Sequence, residues 1–66
     1  MRVTVNGERR TVPSGLLLAD LIAQHTDVRA GVAVAVDGEV VPRTGWSAYV
    51  LDDGAAVEIL TAVQGG

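Results

Sequence analysis

The sequence predicts an α+β domain of order β-β-α-β-β-β, with about four to five strands wrapped around one short helix. Three observations carry that reading. The dipeptides Asn6-Gly7 and Asp37-Gly38 each sit between short segments of β pattern. Leu18, Leu21 and Ile22 fall at helical spacing. Finally, Asp52-Asp53-Gly54 gives a turn signal before a last alternating run.

The first hairpin is read from Arg2-Val3-Thr4-Val5-Asn6 and Arg10-Thr11-Val12, which alternate polar and apolar side chains. Asn6-Gly7 suits a type I′ turn, whose two central residues both need φ > 0. Val3, Val5 and Val12 then share one face and Thr4 takes the other. Pro13-Ser14-Gly15 breaks the pattern before a helix that ends near His25. Its start lacks a good cap: Ser14 lies early, and Leu17 has no side-chain oxygen for an orphan N–H.

A second hairpin follows from Gly31-Val32-Ala33-Val34-Ala35-Val36, with valines on one face and alanines on the other. Asp37-Gly38 turns it into Glu39-Val40-Val41, and Pro42 ends it because proline cannot donate to a ladder. Residues 43–50 are irregular in pattern, with Trp46 as a core plug. The last strand, residues 56–63, points Val57 and Ile59 inward and Glu58, Leu60 and Ala62 outward. With hairpins joining most neighbours, the first and last strands can lie side by side in the centre.

Composition narrows the function classes. The chain has 66 residues, no Cys and one His, so its core must rest on Val, Leu, Ile and Ala without disulfide or metal support. No apolar run approaches the roughly 20 residues that span a bilayer, and Asn6-Gly7-Glu8-Arg9-Arg10 interrupts any signal-peptide core. A cytoplasmic protein is expected. The net charge of -3 and the presence of only one Trp and one Tyr argue against nucleic acid and for a partner with a basic surface.

No set of residues suggests an enzyme. His25 suits a helix C-terminus, Asp52-Asp53 a solvated turn, and Arg9-Arg10 the solvent edge of a hairpin. Neither a dinucleotide fingerprint nor a P-loop can be placed on the glycines. The terminal Gly65-Gly66 admits two readings, an inert end or a tail that threads into a partner. Glycine fits a channel too narrow for side chains. At roughly 3.3 to 3.6 Å per residue, 63–66 would carry a carboxylate about 13 Å beyond the fold. That carboxylate is a poor electrophile until its oxygen becomes a leaving group.

These residues together resemble the ThiS-type sulfur carriers of thiamine biosynthesis, a ubiquitin-like β-grasp family with a mixed sheet packed on one helix. The resemblance spans the chain: Asn6-Gly7, Leu21-Ile22, the run "VAVDGEVVPR" (residues 34–43) with Trp46 beyond it, Asp53-Gly54, and Gly65-Gly66. The chain departs from its relatives at Leu17, where a Thr cap is usual, and at Leu60, which is often aromatic.

The resemblance implies a single domain over 1–66 with 63–66 as a flexible tail. A ThiF-like adenylyltransferase would use ATP and Mg to convert the Gly66 carboxylate to an acyl-adenylate. Sulfur from a partner's persulfide would then give a thiocarboxylate, and thiazole synthase, ThiG, would accept that sulfur. Gly65 and Gln64 would thread, and Glu58, Leu60 and Ala62 would dock. The carrier itself would have no catalytic residue, bind no cofactor or metal, contact neither nucleic acid nor membrane, and be monomeric when free. Without Cys it cannot hold sulfur as its own persulfide, and without Lys it cannot form side-chain isopeptide chains with itself. Carriers for molybdopterin or another sulfur-transfer pathway, ubiquitin-like protein modifiers and a binding domain with an inert end remain alternatives.

Overall fold

A computed structural model describes residues 1–25 and 31–61. The elements are β1 (Arg2–Val5), β2 (Glu8–Thr11), α1 (Leu18–His25), β3 (Val32–Val36), β4 (Glu39–Val40), a 3-10 helix (Arg43–Ala48) and β5 (Ala56–Thr61). The strands form one five-stranded sheet in the order β2-β1-β5-β3-β4. First and last strands are therefore central neighbours, as the pattern predicts. They run parallel, with Thr4 opposite Ala56 and Val5 opposite Val57, while all other pairings are antiparallel. This mixed sheet with one short helix is the ubiquitin-like β-grasp arrangement.

Both hairpins turn as the dipeptides require. Asn6 and Asp37 each sit at φ 51°, and Gly7 and Gly38 each at φ 84°, the left-handed pair of a type I′ turn. Strand limits differ slightly from the pattern: β2 begins at Glu8 rather than near Arg10, because the two-residue turn lets Glu8 pair at once with Val5. Residues 43–50, irregular by pattern, contain the 3-10 helix. Trp46 is buried in it as expected, and its indole N–H donates to the Val41 carbonyl at 2.8 Å.

One face of the sheet is dry. Val3, Val5, Val12, Val34, Val36, Val57 and Ile59 close over Leu18, Leu21 and Ile22 of α1, with Trp46, Leu51 and Ala55 completing the cluster. Each fully buried Val, Leu or Ile contributes about 1.5–3 kcal/mol, which is how a chain without disulfides can hold together. Among the described residues no helix is long and apolar enough to cross a membrane.

The uncapped start of α1 is held by main chain instead of a side chain. The Leu18 N–H donates to the Tyr49 carbonyl at 2.8 Å and the Leu51 N–H to the Leu16 carbonyl at 3.0 Å, around an isolated antiparallel bridge between Leu17 and Val50. The Leu18 N–H, a first-turn donor without an intrahelical partner, is thus satisfied across the fold, whereas a Thr cap at position 17 would serve the N–H of Ala19 or Asp20.

Candidate functional site

The outer face of the sheet carries the features that the core does not need. Along β5, Val57 and Ile59 are buried, whereas Glu58 and Leu60 are exposed, Leu60 to 67%. Register places Ala33 opposite Leu60, Ala35 opposite Glu58, and Val40 on the far side of Ala35. Alanine is too small to fill the space between larger neighbours. The result is a shallow apolar depression edged by Leu60, Glu58 and Val40. Glu58 is its only charged lining residue.

Leu60 and Glu58 thus face outward together, as their place in the alternation predicts. Ala62, Gln64, Gly65 and Gly66, and with them the expected tail 63–66, lie outside the described residues. Val40 was not singled out in the sequence, although it is 77% exposed and borders the same depression. The alternation outward from Asp37-Gly38 was the available signal, since Val41 is half-buried and Val40 must point the other way.

Side chains from the turns grip β5 near both ends. On the β1 side, the Thr4 N–H donates to the Ala55 carbonyl and the Asn6 N–H to the Val57 carbonyl, both at 2.9 Å. The Asn6 carboxamide then continues the ladder: its Oδ1 accepts from the Ile59 N–H at 2.8 Å and its Nδ2 donates to the Ile59 carbonyl at 3.1 Å. On the β3 side, Asp37 Oδ1 accepts from the Ala56 N–H at 2.9 Å, while the Asp37 N–H donates to the Ala56 carbonyl at 2.8 Å. Asp53 does similar work for β1, accepting from the Arg2 N–H at 2.8 Å. In the sequence these residues read only as turn formers.

The remaining polar candidates stay apart. His25 is exposed in the last turn of α1, Asp52 is exposed, and Arg9 lies exposed on the edge strand β2. Among the described residues no polar or charged residue is buried, and no three His, Cys, Asp or Glu side chains gather where a metal ion could be held.

Known proteins share this architecture and length. A family model, the ThiS family, matches residues 3–66. The sulfur carrier protein ThiS of Escherichia coli (strain K12) is 26% identical over 66 residues, covering 100% of both chains. The crystal structure of the thiamine biosynthesis protein ThiS from Geobacter metallireducens has 36% identity and a TM-score of 0.81, with 100% of each chain covered. A solution NMR structure of a thiamine biosynthesis protein from the same organism also has 36% identity and a TM-score of 0.81, covering 100% of this chain and 88% of that one. With the family model matched across nearly its whole length and its fold shared with these solved relatives, the chain belongs to the ThiS family.

Proposed function

We propose that this chain is a sulfur carrier of thiamine biosynthesis, working in the cytoplasm as a co-substrate of partner enzymes rather than as an enzyme. The supporting observation is the family match together with the form of β5: a central strand, gripped along both edges, that bears an exposed Leu60 and leads toward Gly66. From Thr61, residues 62–66 at roughly 3.3 to 3.6 Å each give a reach of about 17 Å. A carboxylate on such a lead can enter an active site while the sheet stays outside.

In this reading a ThiF-like adenylyltransferase binds the outer face at Leu60, Glu58 and Ala62, and Gln64 and Gly65 thread into its channel. A Gly66 carboxylate oxygen attacks the α-phosphorus of ATP, with Mg bound by the partner, and pyrophosphate leaves. The acyl-adenylate carbon is then attacked by the terminal sulfur of a partner's persulfide, and AMP leaves with the bonding electrons. A thiol then attacks the partner's sulfur of the resulting S–S bond, forming a disulfide with it, and the Gly66 thiocarboxylate leaves with the bonding electrons. Thiazole synthase, ThiG, receives that sulfur.

The test is intact mass. Incubation with the cognate adenylyltransferase, ATP, Mg, a persulfide donor and a thiol reductant should raise the mass by one oxygen-to-sulfur exchange, located at Gly66 by fragmentation. An unchanged mass with partners shown to load another carrier would sink the proposal.

A further inference from the structure

We propose that Asn6 is a positioning residue: its carboxamide locks β5 at Ile59 and so sets the register and direction in which the strand presents Leu60 and the chain beyond it to an activating enzyme. The inference rests on the sulfur-carrier reading. Its physical basis is where β1 stops.

β1 ends at Val5 and the chain turns away at Asn6-Gly7, whereas β5 continues to Thr61. A parallel ladder that lost its partner there would leave the Ile59 N–H and C=O facing β1 without protein ligands. The Asn6 side chain supplies both, one oxygen for the N–H and one nitrogen for the carbonyl, at 2.8 and 3.1 Å. An amide side chain has the donor and acceptor of a peptide group, so it can stand in for one. Asp at this position would lack the donor, and Gly would lack both groups while still accepting the φ of 51°. The turn alone therefore does not require Asn.

The position of the clamp matters more than its strength. Beyond Ile59, the described strand is paired only to β3, through Ala33 opposite Leu60 and Val32 opposite Thr61. Asn6 is thus the last hold from the β1 side on the described strand. Release it, and the segment that carries the docking Leu60 pivots on a single neighbour. The fraction of molecules offering the productive geometry falls, and apparent affinity falls with it. Chemistry after binding is untouched, so the loss belongs in KM. Asp37 provides the matched control, because it occupies the equivalent turn position and also bonds β5, but at Ala56, at the opposite end.

The experiment compares Asn6→Gly with Asp37→Gly in the full chain. Both keep a turn that tolerates φ > 0 and both remove side-chain bonds to β5. In Asn6→Gly, amide exchange at Ile59 should quicken roughly fivefold to tenfold, the range expected for one net hydrogen bond. KM for the carrier in ATP-dependent activation should rise by a similar factor, with kcat within about twofold. In Asp37→Gly, exchange should quicken at Ala56 and KM should stay within about twofold of wild type, even though a similar stability loss is measured by urea unfolding. If Asn6→Gly does not fold, Asn6→Asp takes its place: it keeps the turn and the Ile59 N–H acceptor and loses only the donor to the Ile59 carbonyl. Its readout is KM, which should rise above that of Asp37→Gly, and a wild-type KM overturns the role. Equal KM changes in both variants, or a wild-type KM in Asn6→Gly, overturn the positioning role while leaving the carrier reading intact. A wild-type chain that is never activated overturns both.

Discussion

Leu60 is 67% exposed on a central strand, and among the described residues it is not part of the packed core. Burying a leucine against a partner stabilises by about 1.5–3 kcal/mol, while an exposed side chain contributes little to folding. Leu60→Ala should therefore change unfolding free energy by less than about 0.5 kcal/mol. Its KM as a substrate of the activating enzyme should rise roughly tenfold, since losing most of one leucine contact costs about 1.4 kcal/mol. Steady-state kinetics beside a urea titration separates these effects. A large stability loss with no change in KM would move Leu60 from docking to folding. Alternation alone made Leu60 readable as outward, because Val57 and Ile59 claim the inner face. Asn6 was readable only as a turn residue, because its bonds to Ile59 join positions 53 apart in the chain.

At the scale of elements, α1 is the least locally determined piece. Its stripe of Leu18, Leu21 and Ile22 was legible from spacing, and all three are buried. Its entry was not, because the Tyr49 carbonyl that receives the Leu18 N–H arrives from a segment with no strong pattern of its own. Leu17 is half-exposed and is not among the side chains packed against the core, so replacing it costs little. Leu17→Thr places a hydroxyl at the N-cap and should stabilise the chain by about 0.5–1 kcal/mol. For a chain this small that is a rise in Tm of roughly 2–8 °C, measurable by circular dichroism. A fall in Tm would mean that the Leu17–Val50 bridge depends on the leucine side chain. The 3-10 helix has a related lesson: Trp46 was recognisable as a plug, but the turn geometry that lets its indole N–H reach the Val41 carbonyl was not.

At the scale of the whole molecule, the proposed function sets a folding unit apart from a chemical end. Among the described residues, every side chain in the buried cluster, from Val3 to Ile59, lies before residue 60. Deleting Gly66 should leave Tm within about 4 °C, the expectation for a surface change, and abolish thiocarboxylate formation altogether. Thermal melts and intact-mass assays on the same preparation check both halves. A collapsed Tm would show that the C-terminus contributes to the fold, and residual thiocarboxylate would relocate the chemistry. By itself the sequence determined what is local: two type I′ turns from Asn-Gly and Asp-Gly, the inward and outward faces of each strand, the helical stripe, and a Gly-Gly end without Cys or Lys beside it. These follow from φ preference and side-chain period, which neighbouring residues set. Only the tertiary structure decided that Val40 shares a depression with Leu60, that Tyr49 relieves the start of α1, and that Asn6 rather than a strand residue holds Ile59. Those contacts join residues far apart in the chain, and no local preference encodes which distant hydrogen-bonding group will arrive.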